Sequence, residues 1–478
     1  MRIFLWILMC ALPCSLLAQE PFTYRVDYVA PGDSRVRITL ISPEPINTPV
    51  SLVVPRTYPG GYGQVPYDSF VEHVLAFSPD KMPLTVERET DGPRWTIGET
   101  GQHVERIEYE VDVARMESRT VSAEQTSKVR KGYVGLLGYS VFAYIDGWED
   151  RKIKLRINAP NGWPTLTTLD PQVPAPTTAA TAEASNYEAL ADSEVLMGPD
   201  LQLRRFEGKI PLILAVYAET NEDLRLEGQI ASEALDRVQA YFGDAPIRQY
   251  TVQLELLRPI PGHDYDFSQE HLDSGTFSLS IDRAITAQSL SQLQESTLFN
   301  YAHHMAHSWI PKRAYGPGYR PFTWEMPPVI DTIWFNEGFG RYAAIEAIAA
   351  GLPKGDAEAY RRDKLDRLRE TLDDAPTFMR KMSLETLSRE ASFLYATDFR
   401  TGANIFARGA LMAAEMDERI RTESAGKKSL RDALQALLAW SAANHRAFQT
   451  EEMMAVFFTA TGVDVRDILK RWMNPLSN

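Results

Sequence analysis

Hydrophobic and polar positions divide the chain into two patterns. From residue 22 to about 158 the apolar residues come in short alternating or β-branched runs, at 22–29, 35–41, 50–54, 84–88, 106–113, 133–145 and 152–157. Successive side chains of a strand point to opposite faces, so such runs predict strands with one face buried. Pro and Gly clusters, among them Ala30-Pro31-Gly32-Asp33 and Tyr58-Pro59-Gly60-Gly61, separate the runs, and a β domain of sandwich type is expected. Residues 171–186, rich in Pro, Ala and Thr, read as a surface connection within that domain or as its edge. Beyond about residue 224 the period changes. Helical spacing runs through 224–242, strand alternation through 249–257 and 277–281, and helical spacing again through 288–310, ended by Pro311. After Trp334 nearly everything is helical, with amphipathic stretches at 341–350, 354–374, 402–421, 429–440 and 451–461. The expected fold class is α+β and multidomain: a β-sandwich-like domain over residues 19–215, a mixed domain over 216–345 and a helical domain over 346–478.

Composition sharpens this at one end of the chain. The 478 residues are 44% hydrophobic and 24% charged, which excludes disordered and collagen-like polymers. With 64 acidic against 50 basic residues the formal charge is -14, arguing against nucleic acid or an anionic membrane surface as the main partner. Residues 3–18 form an uncharged apolar run behind Arg2, ending at Ala18 before Gln19-Glu20. That is the layout of a signal peptide cleaved after Ala18, and with Pro13 inside it the run is short of the ~20 residues a membrane span needs. Lipid attachment at Cys14 is the weaker alternative. Cleavage removes Cys10 and Cys14, the two cysteines of the chain. The expected product is periplasmic or secreted, with no membrane span, no disulfide and no thiol. Any metal must then be held by His, Asp or Glu.

Three of the eight histidines fall in His303-His304-Met305-Ala306-His307, inside the 288–310 helix. Residues 303 and 307 are four apart, so their rings stack on one helix face and can reach one tetrahedral ion. A third ligand must come from elsewhere, and Glu337 in Trp334-Phe335-Asn336-Glu337-Gly338-Phe339, at the start of the next helix, is the candidate. Spacing alone also allows a metal-free pair of stacked imidazoles.

These motifs, with Tyr58-Pro59-Gly60, Pro160-Asn161-Gly162-Trp163, Tyr187 to Ser193, Gln269-Glu270-His271, Lys312-Arg313 and Arg408-Gly409-Ala410-Leu411, occur in the order found in a known family. The chain resembles the glycyl aminopeptidases of the thermolysin-like gluzincin group over nearly its whole length. The resemblance implies a thermolysin-like zinc peptidase domain in the middle of the chain, with Zn2+ held by His303, His307 and Glu337. It implies that Glu270 binds the free amino group of a peptide or protein N-terminus, a charge-assisted contact that selects exopeptidase substrates. Family members usually carry a PDZ domain after this point, whereas here the chain stops soon after Trp472.

Two positions depart from the family. His304 stands where a catalytic Glu would take a proton from the attacking water and deliver it to the leaving amine, and there is no Glu from 296 to 324. General acid–base catalysis is worth ~10²–10⁴-fold. Phe406 stands where a Tyr would donate to the oxyanion, a donor worth about 3–4 kcal/mol. Glu325 and Asp331, in the loop between the ligand helices, are stand-in bases to be checked. The expectation is an exported aminopeptidase-like metallopeptidase homologue that binds zinc and is a pseudopeptidase or weakly active. The alternatives are an active zinc aminopeptidase releasing small N-terminal residues and a metal-free structural or binding protein.

Overall fold

The computed structural model describes residues 20–28, 30–120, 125–170, 179–244, 246–395 and 398–476. The leader expected at 1–18, with Cys10 and Cys14, lies outside them. Among the described residues, no helix is long and apolar enough to cross a membrane.

The alternating runs of the first half fold into three sheets. The largest has six strands, in the order Ala179–Ala184, Ile153–Asn158, Phe22–Asp27, Arg35–Asn47, His103–Asp112 and Val71–Phe77. Phe22–Asp27 pairs in parallel with Ile153–Asn158, Tyr24 opposite Leu155, and antiparallel with Arg35–Asn47. Two four-stranded sheets complete this part, and their inward faces share a core that includes Val26, Ile38, Leu52, Tyr109, Val134 and Leu155. The 171–186 segment is half settled: 179–184 forms the edge strand, while 171–178 lies outside the described residues. The run at 133–145 is not one strand. It breaks into Tyr133–Leu137, a helical turn Gly138–Val141 and the short strand Tyr144–Ile145. Continuous burial on both faces hides such a break from a reading of hydrophobic pattern.

A five-stranded sheet opens the second half, in the order Gln202–Phe206, Leu212–Ala218, Tyr250–Leu257, Ser274–Ser280 and Asp266–Glu270, the last an antiparallel edge. The helices Leu224–Phe242 and Ser291–Ala306 pack together and share a core with this sheet. After an irregular stretch from 307 to 332, the chain is mainly helical from Trp334 to Met473. Helices Gly340–Ala350, Lys354–Asp373, Leu430–Asn444 and Thr450–Thr461 fall close to their predicted positions. The ligand helix is shorter than its apolar pattern suggested, ending at Ala306 rather than Ile310. Pro311 has no N–H to continue the ladder, and tighter turns take over, with Ser308 N donating to Met305 O and Trp309 N to Ala306 O.

Two glycines set how closely the metal-site elements approach. The segment Trp334–Phe339 forms a π-helical turn that runs into Gly340–Ala350, and it crosses the helix Phe399–Glu423 backbone to backbone. A Cβ on Gly409 would lie 2.1 Å from the Trp334 carbonyl oxygen, and one on Gly338 would lie 2.4 Å from the Gly409 Cα. Neither neighbour is a side chain that can swing aside. Gly409→Ala should therefore destabilise the protein by about 3 kcal/mol, read by urea unfolding. A value within about 0.5 kcal/mol of wild type would show that the two helices can separate freely.

Candidate metal centre and its cleft

His307 is the cap of the ligand helix but keeps helical dihedrals (φ -66°, ψ -20°), so it stays in register with His303, ring centroids 4.6 Å apart. Their Nε2 atoms lie 3.6 and 3.4 Å from Glu337 Oε2. All three residues are buried, and their donor atoms fall within 4.8 Å of one another. Two imidazole nitrogens and a carboxylate, converging from two elements, fit a single tetrahedral ion with an open fourth position. The surroundings hold the donors in place. His307 Nδ1 donates to the Ile310 carbonyl at 2.8 Å, and the Tyr62 hydroxyl donates to Glu337 Oε1 at 2.9 Å. Such outer contacts orient metal ligands.

The charges follow. Burial pulls the His303 ring well below its ordinary value. Burial works the same way on His307, but the Glu337 and Glu270 carboxylates outweigh it and lift that ring to about 9. Burial disfavours the Glu337 carboxylate, yet the charge of His307 and hydrogen bonds from both imidazoles hold it well below the usual range. Without metal the site is a buried imidazolium–carboxylate pair whose proton occupies a ligand position.

His304 faces the same cleft, which has a volume of about 660 Å³. Its Nδ1 donates to the Asn300 carbonyl at 2.9 Å, which leaves Nε2 as the acceptor. Burial, then the nearby His307 charge, drives the ring down to about 4. It is a neutral and weakly basic imidazole where the sequence comparison called for a carboxylate.

Glu270 ends the edge strand Asp266–Glu270 and is buried. It is not the solvated loop residue that its sequence neighbourhood alone would suggest. Gly60, at φ +93°, brings the Tyr58-to-Gly63 loop of the first half against it, and a Cβ there would sit 2.3 Å from Glu270 Oε1. That oxygen is buried with no hydrogen-bond partner among the described residues. Burial, the largest influence, raises this carboxyl above its ordinary value. Behind it, Lys312 Nζ bonds to Asp192 Oδ1 (3.0 Å) and to the Pro59 carbonyl (3.2 Å). The His271 ring lies 3.0 Å from both Asp192 and Glu194. This buried network ties the loop, the edge strand and the ligand-helix exit into one wall.

Phe406, on the helix Phe399–Glu423, lines the cleft with its ring centroid 6.3 Å from that of His303. It offers no donor. Sequence reasoning missed three of its neighbours: Tyr62, Tyr395, whose ring lies 5.8 Å from Phe406 and 5.5 Å from Tyr62, and Arg341, which stacks on Phe406. Tyr395 has room because residue 402 is Gly, where a Cβ would lie 2.2 Å from the tyrosine ring. Burial and then the Glu337 charge push its phenol up. The stand-in bases are set aside by their partners. Glu325 is held by Arg94 at 2.8 Å and Asp331 by Arg389 at 2.8 Å, and neither lines the cleft.

Comparison with known proteins bears on both halves. Residues 23–199 match the Peptidase M61 N-terminal domain. Over 95% of this chain and 76% of the other, the fold superposes on an aminopeptidase N family protein from Idiomarina loihiensis, TM-score 0.80 at 20% identity. An M1 zinc metallopeptidase from Deinococcus radiodurans shares the fold with TM-score 0.54 at 14% identity, over 96% of this chain and 94% of that one. A mutant of that enzyme bound to a Tyr-Ser-Ala substrate gives TM-score 0.52 at 14% identity, with the same coverage. A search of curated proteins returned no match.

Proposed function

We propose that this chain, which carries a peptidase M61 N-terminal domain and shares the fold of zinc metallopeptidases, is a gluzincin-type peptidase homologue that binds zinc and a peptide N-terminus but hydrolyses peptides weakly or not at all. The observation that carries this reading is an intact three-donor cluster, His303, His307 and Glu337, beside a base position filled by the neutral His304. Zinc held there would supply Lewis-acid polarisation of a carbonyl and activation of a water. The protein groups then have four tasks. Glu270, with an unpartnered buried oxygen, binds the ammonium of the N-terminal residue. Tyr62 fixes the Glu337 carboxylate through Oε1. His304 Nε2 is the acceptor beside the scissile bond, and at about 4 it is a poor partner for a proton at neutral pH, because base catalysis is best when the pKa lies near the working pH. Phe406 excludes water without donating.

The apolar run at residues 3–18 supports export, and we place the protein's action outside the cytoplasm. Metal analysis after zinc supplementation and dialysis tests the core of the proposal. The expected result is one zinc per wild-type chain and none in His303→Ala, with alanyl-anilide turnover by the wild type near background. A wild-type protein that retains no zinc favours the metal-free alternative, and brisk turnover favours the active aminopeptidase.

A further inference from the structure

Apart from the histidines, three cationic side chains line the cleft: Arg283, Arg341 and Lys364. Two are matched, Arg283 by Asp266 at 3.3 Å and Lys364 by Glu295 at 2.7 Å. Arg341 has no carboxylate partner among the described residues. Its guanidinium is held by ring faces instead, 5.6 Å from the Phe299 centroid and 5.3 Å from that of Phe406, and its Nε is buried without a hydrogen-bond partner. Glu337, the carboxylate that acts on it, is already engaged, Oε1 by Tyr62 and Oε2 facing both imidazoles. A cation over ring faces makes no hydrogen bond with them, so its N–H donors stay available. A charge kept in a cleft with its donors unfilled is costly unless a ligand completes it. The planar fork matches a carboxylate through two parallel hydrogen bonds.

We propose that Arg341 is the anion site of the cleft and takes the free C-terminal carboxylate of a short peptide whose ammonium end lies at Glu270. This rests on the amine-binding role given to Glu270 above. Glu270 and Arg341 line the same cleft, so a short peptide lying in it can meet both groups. Phe406 gains a role from this: its ring is the platform on which the guanidinium lies.

Calorimetric titration of the zinc-loaded full chain with alanyl-alanine, its C-terminal amide and its N-acetyl form tests the assignment. The free acid should bind roughly tenfold to a hundredfold more tightly than the amide, the range expected for a hydrogen-bonded charge. Arg341→Gln should bring the acid down to the amide's affinity with zinc content unchanged, and Arg341→Lys should keep part of the preference. Equal binding of acid and amide by the wild type, or a preference that survives Arg341→Gln, overturns the proposal. The wild-type ratio decides even where a variant fails to fold. Failure of the amine reading looks different, because the N-acetyl form would then bind as well as the free amine. A protein that binds none of the three overturns both.

Discussion

His304→Glu should raise the rate of alanyl-anilide hydrolysis by ~10²–10⁴-fold over wild type. The wild-type imidazole is tied through Nδ1 to the Asn300 carbonyl and sits at about 4, so at pH 7 it is neutral and holds a proton poorly. A carboxylate on the same helix turn, beside the buried imidazolium of the metal-free site or the cation that replaces it, is a stronger electrostatic partner for a proton in transit. Initial rates of the zinc-loaded wild type and variant, at matched zinc content, give the comparison. Wild-type turnover within about threefold of the variant, a difference of under 1 kcal/mol in barrier, would mean that His304 or another group already serves as base.

The second repair, Phe406→Tyr, should give much less than the ~10²–10³-fold usually attached to an oxyanion donor. Tyr395 already brings a phenol into the same cleft against the Phe406 ring, and Arg341 covers that ring with a guanidinium. A new hydroxyl there joins existing donors and does not fill an empty place. The double variant should therefore resemble His304→Glu alone, since groups serving one step do not contribute independently.

The fold was legible wherever burial was one-sided. The helices at 224–242 and 354–373 announced themselves by spacing, as did the strands at 35–41 and 153–157. It was illegible where both faces are buried, as at Tyr133 to Ile145, or where a strand is short and half exposed, as at Gln202–Phe206. The candidate site was legible in fragments. Tyr58-Pro59-Gly60, Asp192, Glu270-His271 and Lys312 are far apart in sequence, yet they meet in one hydrogen-bonded wall. The reason is physical: the loop can close on the edge strand only if residue 60 has no Cβ, and the buried Lys312 requires Asp192. Tyr62, Tyr395 and Arg341 left no such trace, because each acts through a contact between distant elements and belongs to no local spacing rule.

Metal removal should have the largest effect on stability. The ligands join two separate elements, the helix Ser291–Ala306 and the turn Trp334–Phe339, so a bound ion adds its binding free energy to the folded state alone. At zinc a thousandfold above its dissociation constant the gain is about 4 kcal/mol, which for a chain of 478 residues unfolding as one unit raises the melting temperature by about 4 °C. His303→Ala should abolish the zinc-dependent shift; it also removes a buried ring that faces Glu337, so the shift is read against the variant's own metal-free melting temperature. The pH dependence has a definite sign. His307 is held at about 9, so between pH 6 and 8 a proton occupies the position that zinc must take. Zinc affinity should then rise about tenfold per pH unit across that interval, with close to one proton released per ion bound. Scanning calorimetry with and without zinc at pH 6, 7 and 8 reads both effects. A melting temperature indifferent to zinc at pH 8, where competition from the proton is least in that range, would leave His303, His307 and Glu337 as a buried ion-pair cluster that only holds two helices together.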